Sequence, residues 1–389
     1  MKVYEAVLDQ LAGAGVRYIS GMVGSTAAPY AAMLAQRNDI RYVGVRHEQT
    51  AAAIIEATGR LTGTPGVLMV HGASGLLAAS AGIASAALDS TPMFVFSATQ
   101  EKRAMERGWW QTMNVLTPLS DVLKWQTRVE RPDQAVDAVR RGLREAVSGH
   151  PGVVQVDMPI DVSIEDLDGA SVPEPMVVHA PMFRTWPDPE KVEQTVALLR
   201  SAKRPVILVG GGAVYSDAEK ELLRLAQRLS APVVNTATSR QAVPETHPLV
   251  LGPSGIVGYV PVGDAISESD LVLAIGSRLS DIQTSRSDLL PEGLPIVQVD
   301  IDGAALGRDH ELAAGIVADA RAFCERLNQA LDAADLPVPD ARRDWAASLA
   351  ARISEWQQAW FDATPDNGLV QPQEVVEAML KLPPDAIFT

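Results

Sequence analysis

Cysteine is nearly absent from this chain of 389 residues, which contains Cys324 alone. One cysteine cannot form an internal disulfide and has no companion thiols for a metal site, so the sequence favours a reducing compartment. The formal net charge is -15, and the chain has no cluster of Lys and Arg. Because binding to nucleic acid depends on such clusters, we expect no nucleic-acid partner.

Signals for export or membrane insertion are also missing. Glu5 and Asp9 interrupt the apolar pattern at the N-terminus, which a secretory signal peptide would not tolerate. An apolar run at 66–88 contains His71 together with several Ser and Gly residues. It therefore predicts a strand, a glycine turn and a buried helix instead of a membrane span. We expect a cytoplasmic protein without membrane contact.

Common catalytic signatures are absent as well. The sequence has no zinc-ligand spacing, no GxSxG elbow and no Walker A pattern. The glycines at 210–212 come closest to a phosphate loop, because they follow a predicted strand and precede a helix. They lack GxGxxG spacing, so a tight strand-to-helix turn is the simpler interpretation.

What the chain does contain is a regular alternation of β-branched runs and alanine-rich amphipathic stretches. This alternation predicts an α/β fold with two doubly wound parallel-sheet domains, and the length suits two domains. We place a first α/β domain at 1–162 and a central α/β domain at 191–335. The proline-rich segment 163–190 is the predicted linker, and 336–389 is a helical extension that ends in the apolar run DAIFT, the first strand of a further domain.

Three loops of the first domain, at 21–29, 46–50 and 71–75, each begin where a strand is predicted to end. In open α/β sheets, ligands bind at the carboxyl ends of the strands, so these loops should face one another. Between them they carry the polar side chains of Ser25, His47, Glu48, His71 and Ser74. This set predicts a polar-lined pocket.

Residue types alone leave the roles of these side chains open. Glu48 falls in the first turn of a predicted helix, where capping and interaction with the helix dipole are commoner roles than catalysis. His71 could be a satisfied loop histidine. Ser25 could cap a helix that starts at Thr26.

Taken in order, the segments resemble the thiamin-diphosphate enzymes of the acetolactate synthase, benzoylformate decarboxylase and oxalyl-CoA decarboxylase superfamily. Those similar to the family's pyrimidine-binding domain are GMVGST, RHEQTAAAIIEATGRLTGTPGV, HGASGLLAASAGIASAALDSTPMFVFSA and PGVVQVDMPIDV. Those similar to its central domain are AKRPVILVGGGAV, SESDLVLAIGSRLSD and IVQVDID, and PQEVVEAMLKLPPDAIFT resembles the opening of its diphosphate-binding domain. Each match is loose, but several spaced matches in the right order are specific.

The resemblance implies a cofactor role for the first domain. The matching glutamate of the family hydrogen-bonds the aminopyrimidine ring of thiamin diphosphate and favours its imino tautomer, so Glu48 is expected to be catalytic and cofactor-binding. Ser74 and Gly75, in the loop 71–75, are the other cofactor-binding residues that we predict.

The resemblance also implies substrate contacts, which differ between branches of the family. Ser25 and His71 match positions that face the substrate carboxylate and handle protons in the benzoylformate decarboxylase branch. Gln111 falls where the acetolactate synthase branch has a pocket glutamine. Trp109 and Trp110 are either packing residues or the walls of an aromatic acceptor pocket.

Family members carry a third domain in which a Gly-Asp-Gly motif followed by Asn holds Mg²⁺ and, through it, the cofactor diphosphate; this pattern does not occur in the chain. We expect a separate diphosphate-binding subunit, in a heterotetramer or a larger oligomer. The alternatives are that the chain is a fragment of a longer protein or that it is a relative that has lost catalysis. The central domain binds FAD or ADP in some members, and we expect neither to be tightly held here.

The activity implied by the resemblance is decarboxylation of a small 2-oxo acid. The acyl carbanion equivalent is then protonated or, as in acetolactate synthase-like carboligases, transferred to an acceptor carbonyl. Two alternatives remain at this point. One is a lyase or decarboxylase that acts on acyl-CoA thioesters, and the other is a non-catalytic protein that binds a nucleotide or regulates a partner.

Overall fold

A computed structural model describes residues 1–105, 107–167, 172–286, 288–363, 365, 368–383 and 385–387. The chain divides into two compact units, Met1–Arg184 and Thr185–Thr389. Each unit contains a parallel sheet flanked by helices, so the predicted α/β fold class is confirmed. The division between the units falls inside the predicted linker, 163–190, whose bounds stay a prediction.

The first unit alternates strands and helices. Its strands are β1 (Tyr18–Gly21), β2 (Arg41–Gly44), β3 (Gly66–His71), β4 (Met93–Thr99), β5 (Trp125–Arg128) and β6 (Val153–Pro159). Its helices are α1 (Val3–Gly13), α2 (Ala28–Leu34), α3 (Glu48–Thr62), α4 (Gly72–Ala78), α5 (Ser80–Leu88), α6 (Ala135–Val147) and α7 (Ile160–Ser163). Short 3-10 helices occupy Ser25–Ala27, Lys102–Ala104 and Pro132–Gln134.

The strands of the first unit run in one direction. Among its described residues they form a sheet of six strands in the order β2–β1–β3–β4–β6–β5, and each neighbouring pair is parallel. Strands β3, β4 and β6 are buried along their whole length, because helices cover both faces of the sheet. The loops that follow β1, β2, β3 and β4 consequently open at the same edge.

The second unit repeats this architecture. Its strands are β7 (Pro205–Val209), β8 (Val233–Asn235), β9 (Val250–Pro253), β10 (Leu271–Ile275), β11 (Ile296–Asp300) and β12 (Ala314–Val317). Its helices are α8 (Pro189–Ser201), α9 (Gly211–Tyr215), α10 (Glu219–Leu229), α11 (Val260–Ser267), α12 (Ala320–Ala333), α13 (Asp340–Asp362) and α14 (Pro372–Leu380), with 3-10 helices at Ala237–Ala242 and Gly303–Ala305. In the part of this unit that the structure describes, the strand order is β12–β11–β10–β7–β8–β9, again parallel throughout.

Helix α13, from the predicted extension, packs on the second unit. Its residues Leu349 and Ile353 are buried in a cluster with side chains of α11 and the sheet. Arg352 forms ion pairs with Asp264 at 2.8 Å and with Glu268 at 3.0 Å. The predicted strand DAIFT lies partly outside the described residues, and 385–387 do not form a strand.

No helix in the described residues is both long and apolar enough to cross a bilayer. The apolar run at 66–88 folds into β3 followed by α4 and α5. The predicted glycine turn at 71–75 is instead the first turn of α4, because Gly72 begins that helix directly after β3. Cytoplasmic localisation stays a prediction.

Arg342 fastens α13 to the end of α8 in the second unit. It is 1% exposed, and its Nη2 donates to the carbonyl oxygens of Leu199, at 2.6 Å, and of Ala202. Its Nε also donates to the Ala202 carbonyl, at 3.2 Å. A guanidinium here satisfies carbonyls that the end of a helix leaves without partners, and it lies at the negative end of the helix dipole.

We predict that Arg342→Met lowers the free energy of unfolding of the second unit by about 1–3 kcal/mol, because buried carbonyls lose charge-assisted hydrogen bonds. The measurement is urea unfolding. The matched control is Arg343→Met at the neighbouring, exposed position, which should change the free energy by less than about 0.5 kcal/mol. Equal losses for the two variants would contradict the role of Arg342.

Candidate functional site

Glu48 lies at the carboxyl edge of the first sheet, as the first residue of α3. The residue as a whole is buried, at 6% exposure. Within the described residues, its side chain has no hydrogen bond and no ion pair. Burial of a charged group without a partner is costly, so a partner outside the described protein atoms is expected at this position.

The helix that begins at Glu48 is capped by another residue. His47 is the N-cap of α3, and its Nδ1 accepts a hydrogen bond from the backbone N–H of Gln49 at 3.1 Å. The capping role considered for Glu48 therefore belongs to His47. The negative charge of Glu48 still interacts favourably with the positive end of the helix dipole.

Gly75, which follows β3 in α4, lies against Glu48. A Cβ at this position would be 3.2 Å from Glu48 Oε1 and 3.3 Å from Val70 Cβ. Only a residue without a side chain leaves this space beside the carboxylate open. The structure thus brings together the two predicted cofactor-binding positions Glu48 and Gly75.

His71 ends β3 at the same edge. The residue is 8% exposed, and its Nδ1 lies 2.6 Å from the hydroxyl oxygen of Thr26. Its ring is 5.9 Å from that of Trp110, measured between centroids. Burial lowers the pKa of His71 from its ordinary value, and the charge of Glu48 offsets part of this shift. The electrostatic coupling indicates that Glu48 and His71 belong to one site.

Ser25 is placed differently from the capping prediction. It begins a 3-10 helix whose N-cap is Gly24, and no side chain caps that helix. The interpretation of Ser25 as the cap of a helix starting at Thr26 is therefore wrong. Ser25 is exposed beside the site, whereas Thr26 is 1% exposed and contacts His71. A catalytic role for Ser25 stays a prediction.

Thr26 is the residue that sequence reasoning missed. Its neighbour Ser25 matched the family position, and nothing in the sequence distinguishes which of two adjacent hydroxyls is turned inward. In the structure, the Thr26 hydroxyl also donates to the carbonyl oxygen of Ala98, in β4, at 2.5 Å. The segment after β1 and the end of β3 are therefore joined to β4 through one side chain.

Ser74 and Gln111 meet at the exposed side of the site. The Ser74 hydroxyl donates to Gln111 Oε1 at 3.0 Å. Gln111 has a φ of 57°, in the left-handed region, which is uncommon for a residue with a side chain. The segment after β4 is thus bent so that Gln111 reaches the first turn of α4.

Apolar side chains that are exposed to solvent occur in the same loops. We call Met22, Val23, Leu77, Trp109 and Trp110 the apolar rim. Trp110 is 68% exposed, so interior packing does not explain it. Arg103 lies over the ring of Trp109, 5.5 Å from its centroid. Exposed apolar patches of this kind mark binding surfaces.

In the second unit, two backbone amides of the glycine turn already have hydrogen-bond partners. Gly210 N–H donates to Ile275 O and Gly212 N–H to Gly276 O, each at 3.0 Å. They are not available for phosphate oxygens, which agrees with a tight strand-to-helix turn. Within the described residues, both amide atoms of buried Asn235 lack partners. Whether the central domain binds FAD or ADP stays a prediction.

The structure also has a cleft that lies away from these residues. A cleft of about 490 Å³ is lined by residues of α2 and of the start of β2, at the opposite end of that strand from Glu48. Among the described residues, no group of three or more His, Cys, Asp and Glu side chains could hold a metal ion.

The fold and this edge define an α/β protein whose polar side chains gather where the parallel strands end, with the Glu48 carboxylate among them. Comparison with known families makes the class specific. Residues 1–117 match the N-terminal TPP binding domain of thiamine pyrophosphate enzymes, and residues 192–327 match the central domain of these enzymes. The chain belongs to the thiamine pyrophosphate (thiamin diphosphate) enzyme family, as its sequence predicted.

Relatives of the chain carry one recurrent description. It is 31% identical over 98% of its length to the "Probable acetolactate synthase large subunit" of Methanocaldococcus jannaschii, of which it covers 64%. It is 31% identical over 99% of its length to the acetolactate synthase large subunit of Corynebacterium glutamicum, of which it covers 61%. A third relative, from Parasynechococcus marenigrum, is 28% identical and covered to 62%. The chain therefore spans somewhat less than two thirds of these proteins.

The residues at the edge fit the aminopyrimidine end of thiamin diphosphate. The unpaired carboxyl group of Glu48 can hydrogen-bond such a ring nitrogen: the carboxylate accepts from the ring N–H of the imino tautomer, and a protonated carboxyl donates to the unprotonated nitrogen. Gly75 leaves open the space beside Oε1 that a Cβ would fill. A ring held there would supply the missing partner of the carboxylate.

We predict that Gly24→Ala displaces the ring of His71, because the new Cβ would lie 2.2 Å from His71 Cγ. Gly24 has a φ of -128°, which alanine tolerates, so backbone strain does not contribute. Such overpacking should cost about 1–3 kcal/mol of unfolding free energy, measured by denaturant titration. Gly44→Ala is the control, since its Cβ would meet its nearest atom at 3.5 Å. If Gly24→Ala lowered the free energy of unfolding no more than Gly44→Ala does, the close packing of Gly24 against His71 would be contradicted.

We also predict a pH dependence of stability that comes from His71. Its pKa in the folded chain is below the ordinary value of 6.5, so near pH 6.5 the unfolded chain binds the extra proton more readily. Stability contributed by the neutral ring is present above pH 6.5 and is lost as the pH falls towards the folded pKa. As the pH is lowered from about 7.5 to about 5.5, the free energy of unfolding should therefore fall more in the wild type than in His71→Gln. Parallel curves would contradict this.

Proposed function

We propose that this chain provides the pyrimidine-binding half of a thiamin-diphosphate enzyme that decarboxylates a small 2-oxo acid and transfers the product carbon to an acceptor carbonyl. The observation that carries the proposal is the carboxylate of Glu48, which is buried at the ligand edge and has no partner among the described residues. The similarity to acetolactate synthase large subunits supports carboligation over simple protonation.

Thiamin diphosphate, when bound, acts as the electron sink for the bond to the departing carboxylate. Glu48 hydrogen-bonds the pyrimidine ring and holds or releases a proton at its carboxyl oxygen. A carboxylate in a site with little water performs this task well, since a low local dielectric strengthens its hydrogen bond.

The remaining residues act on the substrate side. His71 moves a proton at a ring nitrogen, and its lowered pKa keeps it neutral, and therefore able to accept a proton, near pH 7. Gln111, held by Ser74, orients a polar group of the substrate. Trp110 lies beside His71 and excludes water from the site once a partner chain covers it.

We further propose that a separate partner chain binds the Mg²⁺ and the diphosphate, in a hetero-oligomer. The support is the apolar rim, whose residues lie in the segments that follow β1, β3 and β4, with Trp109 43% and Trp110 68% exposed. Contact with a second chain would bury these rings and close the site against water. Indole rings contribute strongly to such interfaces when buried.

We predict that Glu48→Gln lowers turnover by about 10²- to 10⁴-fold, the usual contribution of a positioned proton-transfer group. The assay mixes the chain with a partner that carries the Gly-Asp-Gly and Asn pattern, Mg²⁺ and thiamin diphosphate, and measures CO2 release and acetolactate formation from pyruvate. Glu56→Gln is the control, because Glu56 lies on α3 and pairs with Arg60 away from the site.

Two outcomes would reject the proposal. One is full activity of Glu48→Gln. The other is a rise in the thermal stability of the chain when CoA is added and no rise when thiamin diphosphate is added, whether or not the partner is present. The second result would favour an enzyme of acyl-CoA thioesters. Stabilisation by nucleotides alone would favour a regulatory protein.

A further inference from the structure

The position of His71 is fixed by its strand and by two neighbouring residues. His71 and Ala98 are register partners on the neighbouring strands β3 and β4, so the sheet fixes their separation. Thr26 bridges them, with its hydroxyl 2.6 Å from His71 Nδ1 and 2.5 Å from the Ala98 carbonyl oxygen. The backbone of Gly24 approaches the ring so closely that an added Cβ at this position would be 2.2 Å from His71 Cγ.

The hydroxyl of Thr26 carries one proton and can donate only one hydrogen bond. The Ala98 carbonyl oxygen can only accept, and two oxygens at 2.5 Å without a proton between them would repel each other. The Thr26 proton must therefore point to Ala98. The short contact to His71 is then favourable only if Nδ1 carries a proton and donates it to the Thr26 oxygen.

We propose that Thr26 is a positioning residue that fixes the tautomer of His71, with the proton on Nδ1 and an unprotonated Nε2 available to the ligand. The catalytic meaning of this arrangement rests on the proposed function. Within the described residues, Nε2 has no hydrogen-bond partner, so it is free to accept one.

The arrangement determines which kind of substrate group His71 serves. A neutral ring with an unprotonated Nε2 accepts a proton from an O–H or N–H group and cannot donate to a carboxylate. His71 is thus a base towards a hydroxyl-bearing group and not the donor that binds the substrate carboxylate. Glu48 is the charged group that acts on the ring, and its negative charge would stabilise His71 after it accepts a proton.

The test is ¹⁵N NMR of the imidazoles in the uniformly labelled full chain, at a pH above the ordinary histidine pKa. The His71 signals are assigned by their loss in His71→Gln. In wild type, Nδ1 should show the shift of a protonated nitrogen and Nε2 that of an unprotonated one. His47 is the internal reference with the opposite pattern, because its Nδ1 accepts from Gln49 N–H.

Two variants separate tautomer control from packing. Thr26→Ser keeps the hydroxyl and should keep the wild-type pattern, whereas Thr26→Val keeps the shape, loses the hydroxyl and should move the proton towards Nε2. In the reconstituted enzyme, Thr26→Val should lower kcat on the order of 10²-fold, with recovery in Thr26→Ser.

A protonated Nε2 in the wild-type chain would overturn the inference, and so would an unchanged pattern in a folded Thr26→Val. If that variant fails to fold, the wild-type and Thr26→Ser spectra still decide. The NMR result does not depend on activity. The predicted tautomer together with a fully active Glu48→Gln would therefore reject the proposed function and leave the assignment of His71 intact.

Discussion

The burial of the Glu48 carboxylate is possible because the strands of the first sheet are parallel. A parallel arrangement brings the loops after β1, β2, β3 and β4 to one edge, where helix N-termini point outward. Glu48 begins α3 at this edge and gains from the helix dipole, which offsets part of the cost of burying a charge. The cap itself is supplied by His47, so the carboxylate is left for a ligand.

How much of the fold could be predicted depended on burial. The central strands, such as β3 and β4, are continuous apolar runs, and their sequence alone identifies them. Strands β5, β9 and β12 lie at a sheet edge, are four residues long and have no long apolar run that would identify them. An edge strand is covered on fewer sides, so its sequence needs little apolar character: β5 reads WQTR.

The sequence predicted which segments form the site, but it did not always predict which side chains point into it. Glu48, His71 and Gln111 all lie at the predicted edge, because strand ends determine where they are. Which side chain turns inward is decided by tertiary contacts that the sequence does not display. Ser25 is exposed and its neighbour Thr26 is buried, since Thr26 can bridge His71 and the Ala98 carbonyl.

Burial and the charge of Glu48 shift the pKa of His71 in opposite directions, and this opposition matters for proton transfer. Burial favours the neutral ring, which is the form that can accept a proton, while the negative charge of Glu48 favours the protonated ring. If a ligand donates a proton to the carboxylate, the opposing charge disappears and the ring becomes a weaker base. The charge on Glu48 therefore helps to set how strong a base the His71 ring is.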